Sequence, residues 1–184
     1  MNDQADVVLI AACQQGDHRA FRRVFDIYRD RIYALCRSMS GNAEDAEDLT
    51  QEVFVSAFRN IGAYRADAAF GTYLYRIAAN RCAAELRKRT PKFRSFDSAK
   101  ESDGAASPPN PEDLVVRKEL TDRVEAALIA LPESQRLLFI LGTLEGMCYK
   151  EIGEIVGCSE EAVKMRIHRA RKQVRDALRP YMEA

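Results

Sequence analysis

The chain has 184 residues, of which 47% are hydrophobic and 30% charged, and its 28 basic and 28 acidic side chains give a formal net charge of zero. This composition is that of a globular protein with room for one large domain or two small ones, and it excludes a disordered chain. No apolar run is long enough to span a bilayer, and the polar, acidic N-terminus does not resemble a signal peptide, so we expect a cytoplasmic protein.

The five cysteines are scattered without C-x-x-C spacing, and the two histidines, His18 and His168, lie far apart. An odd number of cysteines on mostly apolar helix faces predicts reduced thiols in the core of a cytosolic protein. We therefore expect no metal site. The chain also lacks a nucleophile set and a phosphate loop, so we expect no cofactor, no small-molecule substrate and no enzymatic activity.

Apolar residues at helical spacing predict four helices in the first half of the chain. These helices cover residues 3–15, a segment from the Asp17 cap to Gly41, a segment from the Asn42 cap to about residue 60, and residues 68–89. No segment has the alternating pattern of a strand. We therefore predict an all-α N-terminal domain over residues 1–94.

Residues 95–110 are rich in Ser, Ala, Asp, Gly and Pro, which predicts a flexible linker. Beyond it, Asn110 as N-cap and Pro111 begin a helix that reaches residue 130. Three further helices are predicted over residues 132–146, 149–156 and 159–178. The predicted fold class is therefore all-α, with a second small helical domain at 111–184.

The last two helices have a helix-turn-helix pattern. Gly157 permits the left-handed turn, Ser159 is an N-cap, and Val163 fills the angle between the helices. The second helix carries one apolar stripe and, opposite it, a row of long side chains: Lys164, Met165, His168 and Arg169. Such a helix enters the major groove of DNA, although an ordinary helical hairpin with a solvated basic face is the alternative.

The third helix places acidic and amide side chains around an apolar anchor, Leu49. The polar members of this face are Asp45, Asp48, Gln51 and Glu52. A catalytic carboxylate pair is disfavoured because no His, Ser or Cys accompanies it around a pocket. The face is either a solvated acidic surface or a site for a partner.

The fourth helix and the loop before it combine aromatic and basic side chains. They include Tyr64, Arg65, Phe70, Tyr73, Arg76, Asn80 and Arg81. Aromatic rings stack on unpaired bases while arginines follow the backbone, so the segment suits a single strand of nucleic acid. The alternative is that Phe70, Tyr73 and Leu74 belong to the core and the arginines are merely solvated.

Two long segments carry a resemblance to bacterial sigma factors. Their second conserved region is similar to DAEDLTQEVFVSAFRNI followed by AAFGTYLYRIAANRCAAELRKR, and their fourth region to LPESQRLLFILGTLEGMCYKEIGEIVGCSEEAVKMRIHRARKQVRDAL. The order of the two blocks, with only a short linker between them, resembles the extracytoplasmic-function (group 4) family of sigma-70 factors. The resemblance implies a factor that directs core RNA polymerase to promoters.

The resemblance also implies partners and site residues. Core RNA polymerase would be contacted at the flap of its second-largest subunit and at the coiled coil of its largest subunit, the latter by Asp45, Asp48, Leu49, Gln51, Glu52 and Phe54. The melted minus-10 element of promoter DNA would be held by Tyr64, Arg65, Phe70, Thr72, Tyr73, Arg76, Asn80 and Arg81. The minus-35 bases would face Lys164, Met165, His168 and Arg169, with Lys150, Ser159, Arg166 and Arg171 nearer the phosphates. An anti-sigma factor, in this family often membrane-tethered, would silence the chain.

Met165 departs from the small polar residue that is usual at its position in the family. Methionine offers a base only apolar contact, for example with a thymine methyl group, so the minus-35 preference cannot be inherited from relatives. Two other functions remain open. One is a decoy that titrates an anti-sigma factor without driving transcription, and the other is a repressor or activator that binds duplex DNA alone.

Overall fold

The computed structural model describes residues 3–66, 68–88 and 111–182, and these residues form helices and no strand. The predicted all-α fold class is confirmed. The α-helices are α1 (Asp3–Gln14), α2 (His18–Ser40), α3 (Ala43–Arg59), α4 (Phe70–Lys88), α5 (Pro111–Ala130), α6 (Glu133–Phe139), α7 (Tyr149–Val156) and α8 (Glu160–Met182). The predicted linker at 95–110 and the predicted cap at Asn110 lie outside the described residues.

The helix boundaries follow the capping residues that the sequence indicates. Asp17 accepts two backbone N–H bonds in the first turn of α2, at 2.8 and 3.4 Å, and Asn42 accepts one at 2.8 Å at the start of α3. Gly41 ends α2 with φ of 83°, in the left-handed region that glycine adopts without strain. Both predicted N-caps and this predicted stop are confirmed.

The start of α4 differs from the prediction by two residues. The helix begins at Phe70 and not at residue 68. The Ala68 carbonyl oxygen accepts a bond of 2.6 Å from the Tyr64 hydroxyl, which keeps it in the preceding loop. The loop therefore extends further toward α4 than helical periodicity alone suggests.

The N-terminal bundle is built from α2, α3 and α4, whose apolar stripes face one another. Fully buried side chains include Ile32 and Leu35 of α2, Val53 of α3 and Leu74 of α4. The thiols of Cys36 and Cys82 lie 3.9 Å apart in this core. The bond to Cys36, together with burial, raises the pKa of Cys82, which stays a protonated thiol.

The other cysteines only partly follow the prediction of core thiols. Cys13 is buried, Cys158 is half-buried, and Cys148 is exposed at the N-cap of α7. All five are free thiols. The described segments hold no group of three or more metal-ligating side chains that could bind an ion, and none of their helices is long and apolar enough to cross a membrane.

The helix-turn-helix has the geometry that its sequence predicts. A Cβ at Gly153 would stand 2.6 Å from the carbonyl oxygen of Cys158, so α7 and the turn approach as closely as glycine allows. Gly157 has φ of 71°, and Ser159 accepts the first-turn N–H of Ala162 at 3.3 Å. Before α7, helix α6 continues into a π-helical turn at Ile140–Leu144.

The two halves of the chain also pack against each other. Buried apolar side chains of α2 and α4 belong to the same core cluster as Leu138, Ile140 and Ile152 of the second half. Helices α4 and α7 are in contact, and so are α2 and α5. The linker composition contains no indication of this packing.

Candidate nucleic-acid interface

The acidic face of α3 presents its charges to solvent but not its apolar residues. Asp48, Gln51 and Glu52 are exposed, and Asp45 is half-buried. Leu49 and Phe54 are only 5% and 3% exposed, respectively, so they lie in the core beneath this face. The predicted apolar anchor Leu49 therefore supports the face from below and does not project from it.

A cleft of about 410 Å³ opens beside the loop between α3 and α4. We call it the aromatic cleft. Its lining consists of Ala63, Tyr64, Arg65, Ala68, Thr72, Tyr73, Arg76 and Glu154. Arg65 and Arg76 are exposed, whereas Thr72 is buried. Most of the residues assigned to single-strand binding thus converge on one concave, cationic surface.

Aromatic packing holds the aromatic cleft in shape. The Tyr64 ring lies 5.3 Å from that of Phe70 and 5.2 Å from that of Tyr73. The Tyr73 hydroxyl donates to the Ala57 carbonyl at 3.3 Å, and burial raises the pKa of Tyr73, so it stays a donor. Gln14 donates to the Tyr64 carbonyl at 2.8 Å and thereby ties the loop to α1. These contacts fix the shape of the aromatic cleft before any ligand binds.

The burial of the α4 side chains decides between the two interpretations of this helix, a strand-binding segment or a core helix with solvated arginines. Phe70 is 4% exposed and Leu74 is fully buried, so both are core residues. Tyr73 is half-buried, with one part in the core and one part lining the cleft. Asn80 and Arg81 are exposed further along the helix. Phe70 can shape a strand-binding surface but does not itself face solvent in this arrangement.

An exposed ion pair connects α4 to the acidic face. Arg81 lies 3.4 Å from Glu52, with the two side chains 47% and 58% exposed. Exposed pairs of this kind contribute little to stability, about 0–1 kcal/mol. Either partner can therefore exchange this contact for one with a ligand at low cost.

The N-terminal half of α8 presents a basic surface above a buried stripe. Val163, Ile167 and Ala170 are fully buried, which confirms the predicted apolar face. The residues on the other side are all exposed: Lys164, Met165, Arg166, His168 and Arg169. Lys150 and Ser159 are exposed at the starts of α7 and α8. This surface has the shape and charge to enter a duplex groove.

Arg171 differs from the other basic residues of α8. Its guanidinium donates to the Thr143 hydroxyl and to the Gly142 carbonyl, each at 3.1 Å. The side chain is half-buried as a result. Arg171 is thus tied to the π-helical turn before α7.

Comparison with known proteins identifies the family. The Sigma-70 region 2 model matches residues 24–91, and the Sigma-70 region 4 model matches residues 121–174. The ECF RNA polymerase sigma factor SigW of Bacillus subtilis is 36% identical over 177 residues, covering 92% of this chain and 95% of the relative. The chain belongs to the ECF family of RNA polymerase sigma factors. It is therefore a transcription initiation factor.

Other relatives agree with this assignment. The ECF RNA polymerase sigma-E factor of Escherichia coli K12 is 35% identical over 188 aligned positions, with 98% of each chain covered. The region 2 match contains α4 and the aromatic cleft loop, and the region 4 match contains the helix-turn-helix. The surfaces described above thus lie within the two regions that define the sigma factor.

Solved structures share the fold over both regions. CnrH, solved in complex with the cytosolic domain of CnrY, superposes with a TM-score of 0.74 at 27% identity, covering 96% of this chain and 98% of CnrH. The sigma factor RpoE of Bartonella quintana, solved with the anti-sigma factor NepR, superposes with a TM-score of 0.70 at 22% identity, over 86% of this chain and 96% of RpoE.

Arg136 is a structural residue of this sigma factor that the sequence analysis missed. It is 3% exposed and donates to four carbonyl oxygens: Leu128 at 2.8 Å, Ile129 at 2.5 Å, Leu131 at 3.2 Å and Met39 at 2.7 Å. A signal was available, because a charged residue placed directly before a continuous apolar run is hard to expose. Its partners could not be read from the sequence, since one of them lies 97 positions away.

Proposed function

We propose that this sigma factor binds core RNA polymerase and two promoter elements at once, through a domain at residues 1–94 and a domain at 111–184 joined by 95–110. One observation carries the proposal: three exposed surfaces of different chemistry lie on a chain that belongs to the sigma family. They are an acidic face on α3, a cationic aromatic cleft and a basic face on α8. Each surface suits a different partner of an initiating polymerase.

The acidic face of α3 is the proposed site for the largest-subunit coiled coil of core polymerase. Asp48 and Glu52 are exposed one helical turn apart, so a basic partner surface meets two carboxylates together. Asp45 and Gln51 border them, and Leu49 and Phe54 hold the helix in place from the core. The flap of the second-largest subunit is the proposed partner of the C-terminal domain.

Charge reversal tests the α3 site. Asp48→Arg should weaken binding to core polymerase by about 2 kcal/mol or more, because a like charge is placed against a basic partner. Fluorescence anisotropy of the labelled sigma factor titrated with core polymerase measures the change. Glu47→Arg, an equal charge change at the neighbouring exposed position, is the control. Equal binding by both variants would contradict the assignment.

The aromatic cleft is the proposed site for the melted minus-10 strand. A flipped base can stack on the Tyr64 and Tyr73 rings while Arg65 and Arg76 neutralise phosphates. Asn80 and Arg81 extend the polar surface along α4, and Thr72 and Phe70 shape the cleft wall. Stacked and hydrogen-bonded bases favour the open strand over the duplex, so promoter melting is driven by binding energy alone.

The exposed face of α8 is the proposed reader of the minus-35 duplex. Lys164, Met165, His168 and Arg169 face base edges in this assignment, and Lys150, Ser159 and Arg166 lie nearer the phosphates. Arg171, which is tied to the π-helical turn, is the member of the set with the least freedom to reach DNA. Affinity for promoter DNA should fall steeply with salt because phosphate contacts release counterions.

Regulation by an anti-sigma factor is the last part of the proposal. Its support is that 96% of this chain superposes on CnrH held in a complex with the cytosolic domain of a second protein, CnrY. Membrane tethering of such a partner stays a prediction from the sequence. We place the sigma factor itself in the cytoplasm, where RNA polymerase works.

The decoy function is disfavoured because a protein that only captures an anti-sigma factor needs neither an exposed acidic face nor a base-reading helix. The deciding experiment adds the purified chain to core polymerase that lacks any sigma factor, with genomic fragments of the source organism as template. A discrete transcript with a reproducible start site supports the sigma function. No binding to core polymerase at all would favour the decoy, whereas tight binding without any transcript would point to an inhibitor or to a missing promoter.

A further inference from the structure

The π-helical turn at Ile140–Leu144 packs directly on both helices of the helix-turn-helix. A Cβ at Gly142 would stand 2.5 Å from the Cδ1 atom of Ile167 in α8 and 3.3 Å from that of Ile152 in α7. Both isoleucines are fully buried. Backbone and side chains approach this closely because position 142 carries no side chain. The turn is therefore part of the frame that holds α7 and α8 together.

Arg171 bonds the same turn to α8. Its Nε atom donates to the Thr143 hydroxyl and its Nη2 atom to the Gly142 carbonyl, each at 3.1 Å. The last carbonyls of a helical segment lack N–H partners within it, and a cation suits the negative end of its dipole. Both bonds use one edge of the planar guanidinium. That edge is therefore not available for the paired contact that arginine makes with phosphate.

Arg171 lies on the same edge of α8 as a base-reading residue of the proposed complex. Seven residues are close to two helical turns, so Lys164 and Arg171 differ in direction by only about 20°. A bond at the edge of a helix resists rotation about the helix axis more than a contact at the centre of its buried stripe does. Rotation of α8 would carry Lys164 away from the base that it faces. The Arg171 bonds are therefore placed to fix the direction in which α8 reads.

Backbone packing fixes the other end of the helix-turn-helix. There a Cβ at Gly153 would stand 2.6 Å from the carbonyl oxygen of Cys158, just before α8 begins. The Arg171 bonds lie roughly 17 Å further along α8, at a rise of about 1.5 Å per residue. A helix held at two separated points cannot tilt freely. The two contacts together set Lys150 of α7 in a defined position relative to the base-reading side chains of α8.

We propose that Arg171 is a positioning residue of minus-35 recognition: it bonds α8 to the π-helical turn and so sets the direction in which Lys164 and its neighbours face the bases. This role takes the place of the phosphate contact that the family resemblance implies. The inference rests on the proposed function of α8 as the minus-35 reader. It adds that discrimination between base sequences, and not general affinity for DNA, depends on Arg171.

Base discrimination and salt dependence separate a positioning residue from a phosphate contact. Discrimination is the ratio of Kd for a duplex with one substituted minus-35 base pair to Kd for the intact promoter. Arg171→Gln removes the charge, and Arg171→Lys keeps it but cannot make two bonds from one rigid edge. Both should lower discrimination about fivefold or more, the value of one lost base contact, and leave the salt slope unchanged. A phosphate contact predicts instead that Arg171→Gln lowers the slope by about 0.9 and that Arg171→Lys behaves as the wild type.

The measurement uses holoenzyme and a labelled duplex of the promoter that gives the discrete transcript, read by anisotropy at several salt concentrations. Arg166→Gln, at an exposed position assigned to phosphates, is the control. It should lower the slope by about 0.9 and leave discrimination unchanged. Loss of folded protein weakens binding to both duplexes equally, so it does not change their ratio. Unchanged discrimination in Arg171→Lys, or a reduced slope in Arg171→Gln, would overturn the inference.

Hydrogen exchange in the free chain, followed by NMR, tests the Arg171 bonds without DNA. The reporters are the N–H groups of Glu145 and Met147, which bond to carbonyls of the turn at 3.0 Å. Arg171→Gln should speed their exchange about tenfold, as the loss of hydrogen bonds to a charged donor predicts, and Thr143→Val should act in the same direction. Arg175→Gln, the same change one turn further along at an exposed position, should have no effect.

Unchanged exchange in Arg171→Gln would overturn the inference even where the wild-type holoenzyme reads a promoter. Faster exchange in a chain whose wild-type holoenzyme gives no transcript would support the Arg171 bonds and count against the proposed function of α8. The two failures are therefore distinguishable.

Discussion

Met165 interrupts the basic surface of α8 with an apolar side chain that is 56% exposed. Its neighbours on that surface can donate hydrogen bonds or carry charge, but a thioether can only pack. In a major groove the apolar group available to pack against is the methyl of thymine. Specificity at one base pair should therefore rest on a methyl contact.

Deoxyuridine, which lacks that methyl, tests this contact. Replacing one thymine of the minus-35 element by deoxyuridine should weaken holoenzyme binding by about 0.8 kcal/mol, the value of one buried methylene-sized group. With the Met165→Ala variant, the same replacement should leave the affinity unchanged. With Gln173→Ala, a control further along the helix, it should weaken binding as much as it does for the wild-type protein. If deoxyuridine weakened binding by Met165→Ala as much as it weakens binding by the wild-type protein, the methyl contact would be contradicted.

The hydrogen bonds of Arg136 lead to a second prediction about a single side chain. Lysine keeps the charge but cannot spread donors over four carbonyls as a planar guanidinium does. Arg136→Lys should therefore lower the free energy of unfolding by about 1–3 kcal/mol, because buried carbonyls lose their partners. Urea denaturation measures the loss, with Arg175→Lys at an exposed position as the control. A loss no larger than the control's would mean that these bonds contribute little.

The residues that sequence reasoning found and missed differ in how local their contacts are. Asp17 and Asn42 were predictable as caps because each bonds backbone within three positions of itself. Arg136 and Tyr75 were not, because their partners Met39 and Glu145 lie 97 and 70 positions away. Spacing within one segment says nothing about which helix end another segment will meet.

Among the elements, the turn of the helix-turn-helix depends most on a single backbone conformation. Gly157 has φ of 71°, and a Cβ there would have no atom within 4 Å beyond those of its chain neighbours, so a side chain meets strain but no clash. Left-handed backbone costs a non-glycine residue about 1–2 kcal/mol. A side chain at position 157 would have enough space, but the left-handed backbone conformation would be strained.

Gly157→Ala should accordingly lower the free energy of unfolding by about 1–2 kcal/mol. Gly62→Ala is the matched control, because it also has open space around its Cβ position but no positive φ. That change should be neutral, or stabilising by up to about 1 kcal/mol through the unfolded chain. Thermal unfolding followed by helical circular dichroism compares the two. Equal melting temperatures would show that the turn relaxes away from the left-handed conformation.

The two sides of α4 explain why the sequence predicted only part of the aromatic cleft. The mixture of aromatic and basic residues in α4 indicated a strand-binding segment, and its arginines are exposed as that idea requires. Phe70 and Leu74 are in the core because α4 must bury one side against α2 and α3. Composition could not separate the two sides of the helix, since aromatic residues occur on both.

At the scale of the whole molecule, the apolar core does not stop at the boundary between the domains. Leu35 and Leu74 of the first domain belong to one buried cluster with Ile140 and Ile152 of the second. The sequence predicts two domains because residues 95–110 are poor in large apolar side chains. The composition of a linker indicates where the chain can bend. It does not indicate whether the two domains that it joins pack against each other.

A shared core should make the free chain unfold as one unit. Hydrogen exchange followed by mass spectrometry across a urea series should show amides of α2 and α8 losing protection at the same urea concentration. Gly157→Ala, although it lies in the helix-turn-helix, should shift both transitions together, because opening one domain exposes apolar surface of the other. Gly62→Ala should shift neither to lower urea. Separate midpoints, with only α8 displaced by Gly157→Ala, would mean that the domains fold independently and that their contact adds little to the stability of either.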